Sequence, residues 1–138
     1  AEIGDLYVSS RAAGLPFLRE VHAPDAMRSW IRDAILPRGA TWVARRSDCI
    51  CGFMTLEAGE IDQLYLRPDM RRLGIGSALV AHAKAESPLG LRLVTFQQNQ
   101  AARAFYEAHG FVAVAFGDGS KNEEGAPDVF YEWAPLSQ

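Results

Sequence analysis

The hydrophobic period changes near residue 67, and the chemistry of the chain is gathered around that change. Before it, Ile61, Leu64, Tyr65 and Leu66 belong to a short β-rich run that Pro68 ends. After it, positions Ile75, Ala78, Leu79, His82 and Ala83 recur at helical spacing, which predicts an amphipathic helix up to about residue 85. The same two periods organise the rest. Ile3, Leu6, Tyr7 and Ala12 predict a helix within residues 1–18, closed by Pro16, and Asp25 is the expected N-cap of a second helix through Leu36. Met27, Trp30, Ile31, Ala34 and Ile35 are its expected buried stripe, and Pro37-Arg38-Gly39 stops it. Residues 41–46 and 50–57, joined at Ser47-Asp48, read as an antiparallel hairpin, and Gly59 turns the chain into the strand at Ile61. Downstream come a strand over 91–96, a helix from about Asn99 that Gly110 ends, a strand over 111–116, a polar loop over 117–128 and a strand over 129–133. Strands and helices mixed in this order predict an α+β fold.

Composition narrows the class. The chain has 138 residues, 49% hydrophobic and 22% charged, with a net charge of −3. This suits one domain spanning 1–138 with a single core. Mild acidity gives no electrostatic footprint for nucleic acid, and no apolar run reaches the roughly 20 residues of a membrane span. No stretch resembles a signal peptide, so a cytoplasmic chain is expected. Cys49 and Cys51 lie two apart, where a bridge would be strained, and with no third cysteine they read as reduced thiols. His22, His82 and His109 form no metal constellation; His109 stands at a helix end, where it favours the dipole. No metal is expected.

Gly74 and Gly76 open the central helix and leave backbone N–H groups unobstructed by Cβ atoms, an anion cradle that a diphosphate fits. Arg71 and Arg72 add positive charge beside it. A P-loop requires Lys-Ser/Thr after its second glycine, and Ser77-Ala78 follow here; a dinucleotide fingerprint requires a small residue where Leu79 stands. What remains is Arg/Gln-x-x-Gly-x-Gly/Ala, and at this point the sequence resembles the GNAT superfamily of N-acetyltransferases, which hold the coenzyme A pyrophosphate on such a turn. An ordinary strand-to-helix turn shares the local pattern. A second stretch, Asn99-Gln100-Ala101-Ala102-Arg103-Ala104-Phe105-Tyr106-Glu107-Ala108-His109-Gly110-Phe111, resembles the family's Asn-x-x-Ala-x-x-Phe-Tyr-x-x-x-Gly-Phe signature. Two motifs in the right order and separation are more specific than either. The resemblance runs over about 30–133, and its firm part is 61–111.

The resemblance implies a twisted mixed sheet, mainly antiparallel, with helices on both faces. Its fourth and fifth strands splay to admit the pantetheine arm of acetyl-CoA, the implied cosubstrate. Members usually begin with a strand that is not evident here, so either it is missing or residues 1–3 supply a remnant. The implied reaction is direct attack of a primary amine on the thioester. Making an alkylamine neutral at pH 7 costs roughly 4.6 kcal/mol, which a carboxylate or a desolvating pocket must offset. By resemblance, the backbone of Leu64, Tyr65 and Leu66 pairs with pantetheine and polarises the carbonyl. The N–H groups of Arg71, Arg72, Leu73, Gly74, Ile75, Gly76 and Ser77 then hold the pyrophosphate, and Asn99, Ala102 and Phe105 border the donor. Tyr106 is the expected general acid toward sulfur, at the edge of its helix, with Phe105, Ala101, Ala102 and Ala108 on the core face. For Asn99 a plain N-cap is the alternative.

Glu60 is the candidate base, with Asp62 on the same strand face next and Glu57 third; an exposed turn carboxylate is the alternative for Glu60. Glu123, Glu124 and Asp128 are expected to attract a cationic acceptor, with Trp30, Phe17 and Tyr131 lining the same cavity. A solvated loop and core aromatics are the alternatives there. The expected partner is a small-molecule or peptide amine. A homodimer is also an expectation, since members often dimerise and an absent first strand leaves an unpaired edge. The rival function is a non-catalytic acyl-CoA-binding or sensing domain that kept the cradle.

Overall fold

Neighbouring residues of one strand, Phe53 and Met54, point to opposite faces, and each lies in a different core. That strand is β2 (Cys49–Glu57), buried on both sides for most of its length in this computed structural model, which describes residues 2–14, 22–37, 40–46, 48–70 and 74–135. β1 (Ala40–Arg46) and β3 (Glu60–Leu66) flank it antiparallel. Beyond β3, β4 (Leu91–Phe96), β6 (Asp128–Trp133) and β5 (Val112–Phe116) complete a six-stranded mixed sheet in the order β1-β2-β3-β4-β6-β5.

One face is covered by α1 (Glu2–Gly14) and α2 (Pro24–Trp30), the latter continued by a π-helical turn (Ile31–Ile35). Leu6, Tyr7, Met27, Ile31 and Ile35 pack there on Ile50 and Phe53. On the other face, Leu79, Val80 and Ala83 of α3 (Ile75–Glu86) and Tyr106 of α4 (Gln100–Ala108) pack on Met54, Leu56, Ile61, Leu91, Leu93, Val129 and Tyr131. Helices thus lie on both faces, as expected.

β3 and β4 are parallel and share one ladder pair, Glu60↔Arg92, at their starts. Counted with the family's first strand, which this chain lacks among its described residues, these are the fourth and fifth, and the splay falls where the resemblance puts it. A second irregularity lies inside β3. Thr55 pairs with Gln63, but Leu56 pairs with Ile61, so Asp62 is an extra residue, a β-bulge. The bulge breaks the alternation that put Glu60 and Asp62 on one face.

Several local expectations are corrected. Glu2 and Ile3 are helical, so they supply no strand remnant. Ala23, not Asp25, is the N-cap of α2; Pro24 takes the first helical position, where its missing N–H costs nothing, and Asp25 pairs with Arg28 at 2.8 Å. In α3, Gly76 and Val80 join Leu79 and Ala83 on the buried side, whereas Ala78 and His82 are exposed and His82 leans on the Trp42 ring. Ala12, Ala101 and Ala108 are exposed too. Gly110 ends α4 as expected. With φ 87° it closes a Schellman motif in which Phe111 N–H donates to Tyr106 O and Gly110 N–H to Glu107 O. The Tyr106 and Phe111 rings complete the motif edge to face, 5.5 Å apart. The expected closing residues Pro16, Arg38 and Gly39, and Ser47 of the hairpin turn, lie outside the described residues.

The β2–β3 turn carries strain. Ala58 and Gly59 have φ 50° and 81°, and only the glycine adopts this without cost. Ala58→Asn is expected to stabilise the protein by about 0.5–1 kcal/mol, read as a higher urea midpoint at unchanged slope.

Candidate active site

The splay opens a cleft of about 510 Å³. Leu64, Tyr65 and Leu66 form one wall and Leu93, Val94, Thr95 and Phe96 the other. Gly74, Gly76 and Ser77 at the start of α3, with Asn99, Ala101, Ala102, Phe105 and Tyr106 at α4, border it on the α3–α4 face. Ser10 of α1 reaches it from the opposite face. Past Glu60, the β4-facing edge of β3 has no ladder partner, so backbone donors and acceptors line an apolar slot.

Gly74 is the N-cap of α3 with φ 80°, and a Cβ there would meet no atom within 4 Å, so the turn faces open space. Gly76 is needed for a different reason. A Cβ on it would stand 3.1 Å from two ring carbons of Phe105, so its absence lets α3 and α4 close on each other. His109 fastens the same junction. Its Nδ1 lies 2.8 Å from Phe105 O, which can only accept, so Nδ1 carries the proton; a neutral ring then accepts the Ser77 hydroxyl at Nε2, 2.9 Å away. Asn99 is an N-cap, its Oδ1 accepting from Ala102 N–H at 3.1 Å, and it borders the cleft as well.

Tyr106 is not at the edge of its helix. It is 8% exposed, in the core, with its face toward the cleft. Burial, with a smaller contribution from Tyr65, raises its phenol well above the ordinary value, so it keeps its proton at neutral pH.

The acidic residues are distributed differently from the sequence expectation. Asp62, at the bulge, lines the cleft; Glu60 does not, standing at the closed end of the splay 3.8 Å from Arg92. Glu57 is exposed at the end of β2. Glu123, Glu124 and Asp128 are outside the lining, and their carboxylates are engaged. Glu123 meets His22 at 2.9 Å, Glu124 meets Arg11 at 2.5 Å, and Asp128, buried at the start of β6, accepts from Asn122. Trp30 is 40% exposed and packs on Tyr7, away from the cleft. Tyr131 is fully buried, its hydroxyl accepting from Arg103 and donating to Glu107 at 2.6 Å. Ile75 is helical but outside the lining, and Arg71, Arg72, Leu73 and Phe17 lie outside the described residues. Ser10 was missed, although a signal existed: Ser10 and Arg11 extend the buried Leu6–Tyr7 stripe of α1 with polar residues. Among the described residues no cluster of three potential ligands could hold a metal, and no helix is long and apolar enough to cross a membrane.

The model of the GNAT acetyltransferase domain matches residues 37–113, more than half of the chain. The chain belongs to the GNAT acetyltransferase family. It is therefore an acetyltransferase by family, with the α+β fold of that family. Among GNAT relatives, it is 32% identical over 108 residues to the peptidyl-lysine N-acetyltransferase YiaC of Escherichia coli (strain K12), covering 78% of this chain and 73% of that protein. The solution structure of apo YjaB from Escherichia coli superposes with a TM-score of 0.76 at 27% identity, over 98% of this chain and 90% of that one. PaiA N-acetyltransferase of Thermoplasma acidophilum, solved in complex with coenzyme A, shares the fold with a TM-score of 0.70 at 19% identity, over 97% and 91% of the chains.

Tyr106 gives this GNAT a pH signature. Below its ordinary pKa of 10.0 the phenol is protonated both folded and unfolded; above it the unfolded chain releases the proton first, so stability falls with rising pH. The slope contributed is at most about 1.4 kcal/mol per pH unit. Tyr106→Phe is expected to show a shallower loss of stability between pH 10 and 11 in urea melts, while Tyr131, also raised by burial, keeps its share.

Proposed function

We propose that this GNAT moves an acetyl group from acetyl-CoA to the side-chain amine of a peptidyl lysine, by direct attack in a ternary complex, within one domain spanning residues 1–138. The observation that carries the reading is the edge of β3 that makes no ladder pair with β4 beyond Glu60, in a cleft lined also by Gly74, Gly76 and the buried Tyr106. The acceptor class rests on the name of YiaC.

The residues present fit the donor. The open space before Gly74 and the helix start behind it suit a diphosphate, with Ser77 beside them. Leu66, Phe96 and Phe105 supply apolar walls for a pantetheine arm, and the free edge of β3 offers it backbone hydrogen bonds as an added strand would receive them. Acetyl-CoA, when bound, supplies an activated carbonyl and a thiol leaving group. The chain's own residues do the remaining work. Backbone N–H groups of 64–66 polarise the carbonyl, a contribution that needs no particular side chain. Tyr106, held protonated by burial, donates a hydrogen bond to the departing sulfur and its proton as the bond breaks. An ordinary thiol has a pKa of about 8.5, below that of the raised phenol, so the transfer is uphill on its own and completes only as the phenolate takes back a proton shed by the attacking amine, leaving amide, thiol and neutral Tyr106. Asp62, a carboxylate that lines the cleft, draws a proton from the amine, directly or through water. The bulge that adds it to β3 aims it into the cleft and leaves Glu60 on its arginine.

Calorimetric titration with acetyl-CoA, followed by thiol release with lysine-containing peptides, tests the reading. One-site binding and peptide-dependent release are expected; binding without release from any amine points to the sensing role, and absence of binding by folded protein refutes the cradle. Tyr106→Phe is expected to lower kcat about 10- to 100-fold while acetyl-CoA affinity stays within about twofold. Unchanged kcat removes Tyr106 from the mechanism. Asp62→Asn is expected to lower activity most at neutral pH and least near pH 10, where the amine deprotonates unaided; a uniform loss across pH contradicts a role as base.

A further inference from the structure

Beyond Glu60 and Arg92, no ladder pair holds β3 to β4, yet a partly buried ion pair crosses the open end of the wedge. Arg11 of α1 donates to Glu124 of the β5–β6 loop at 2.5 Å, across 113 residues of sequence. α1 packs on β2 and β3. The loop belongs to the other half: Gln97, next to the end of β4, bonds Pro127 O through its N–H and Gly117 O and Asp128 O through its side chain. The pair is drawn in from solvent, with the Arg11 and Glu124 side chains 8% and 17% exposed, which separates it from the neighbouring His22–Glu123 contact at 54% and 67%. Inward of it, the guanidinium lies 6.0 Å from the Tyr7 ring, and Tyr7 meets Tyr65 of the cleft wall edge to face at 5.0 Å. Ser10, the residue before Arg11, lines the cleft itself.

We propose that the Arg11–Glu124 ion pair is a clasp that closes the acceptor side of the cleft and thereby selects acceptors by girth. This rests on the transferase reading for its catalytic consequence, but not for the clasp itself. A turn-and-helix donor site occupies the α3–α4 face, so an acceptor must arrive from the α1 face, where the clasp narrows the opening. An unbranched aminoalkyl chain passes beside Ser10. A branched or ring-bearing amine requires the pair to part, and parting it releases both the loop and the Tyr7–Tyr65 wall. The pair also lowers the loop's pull on outside cations, since the half-buried Glu124 already meets this chain's own arginine.

Two variants test it, Glu124→Gln, which keeps the shape and a hydrogen bond, and the double variant Arg11→Met with Glu124→Met, which leaves no lone buried charge. Hydrogen–deuterium exchange of residues 118–126 is expected to speed up at least tenfold in the double variant, with α3 and α4 unchanged and acetyl-CoA affinity within twofold. The kcat/KM ratio of a lysine peptide to a peptide bearing 4-aminomethyl-phenylalanine is expected to fall at least fivefold, with a smaller fall in Glu124→Gln. Unchanged exchange overturns the clasp whether or not the protein acetylates anything. Faster exchange with an unchanged acceptor ratio in active enzyme overturns the selection. If wild-type protein acetylates no amine, the transferase reading fails, and the exchange result alone decides the clasp.

Discussion

Among the described residues, β3 and β4 make no ladder pair beyond Glu60↔Arg92, so a strand edge lies open in the middle of a sheet. A buried backbone group left unpaired costs about 1–3 kcal/mol, so a fold tolerates such an edge only where solvent or a ligand reaches it. The rest of the architecture permits that opening. β1, β2 and β3 form one antiparallel unit, and β4, β6 and β5 form another. Each is internally paired, and the α3–α4 core packs across both. The wedge is held shut at one end by Glu60↔Arg92 and spanned at the other by Arg11 and Glu124.

The α3–α4 junction converts this opening into a site. Gly76 allows Phe105 to come flush against α3, His109 ties Ser77 to the end of α4, and Lys84 donates to His109 O at 2.5 Å from the far turn of α3. The Schellman closure at Gly110 and Phe111 fixes the ring of Tyr106. A phenol anchored in this way loses little freedom on meeting a substrate, and its burial keeps it protonated. The cleft's one acidic side chain among the described residues, Asp62, comes from an irregularity in the strand and not from a loop. Bulges re-aim side chains, and here the effect is to exchange Glu60 for Asp62 at the site.

Much of this was legible in local sequence. The strand ending at Pro68, the glycine turn, the helix after it and the Asn99 to Phe111 signature depend on backbone chemistry that a few adjacent residues decide: a residue that tolerates positive φ, a side chain that caps, a period of apolar positions. Gly110 at C′ and Asn99 at the N-cap follow from that alone, and the family's fold follows from the two motifs together. Tertiary packing decided the rest, because it concerns which groups far apart in sequence come to share space. Asp62 replaced Glu60 because a bulge is defined against a partner strand. Tyr106 turned inward because Phe111 and the β6 core receive it, while two alanines expected to face the core do not. The loop acids read as a lure for cations until Arg11, more than a hundred positions away, accounted for Glu124. Sequence determines what each segment prefers to be; only the folded chain determines which charges are left for chemistry, since neutralisation is a property of pairs.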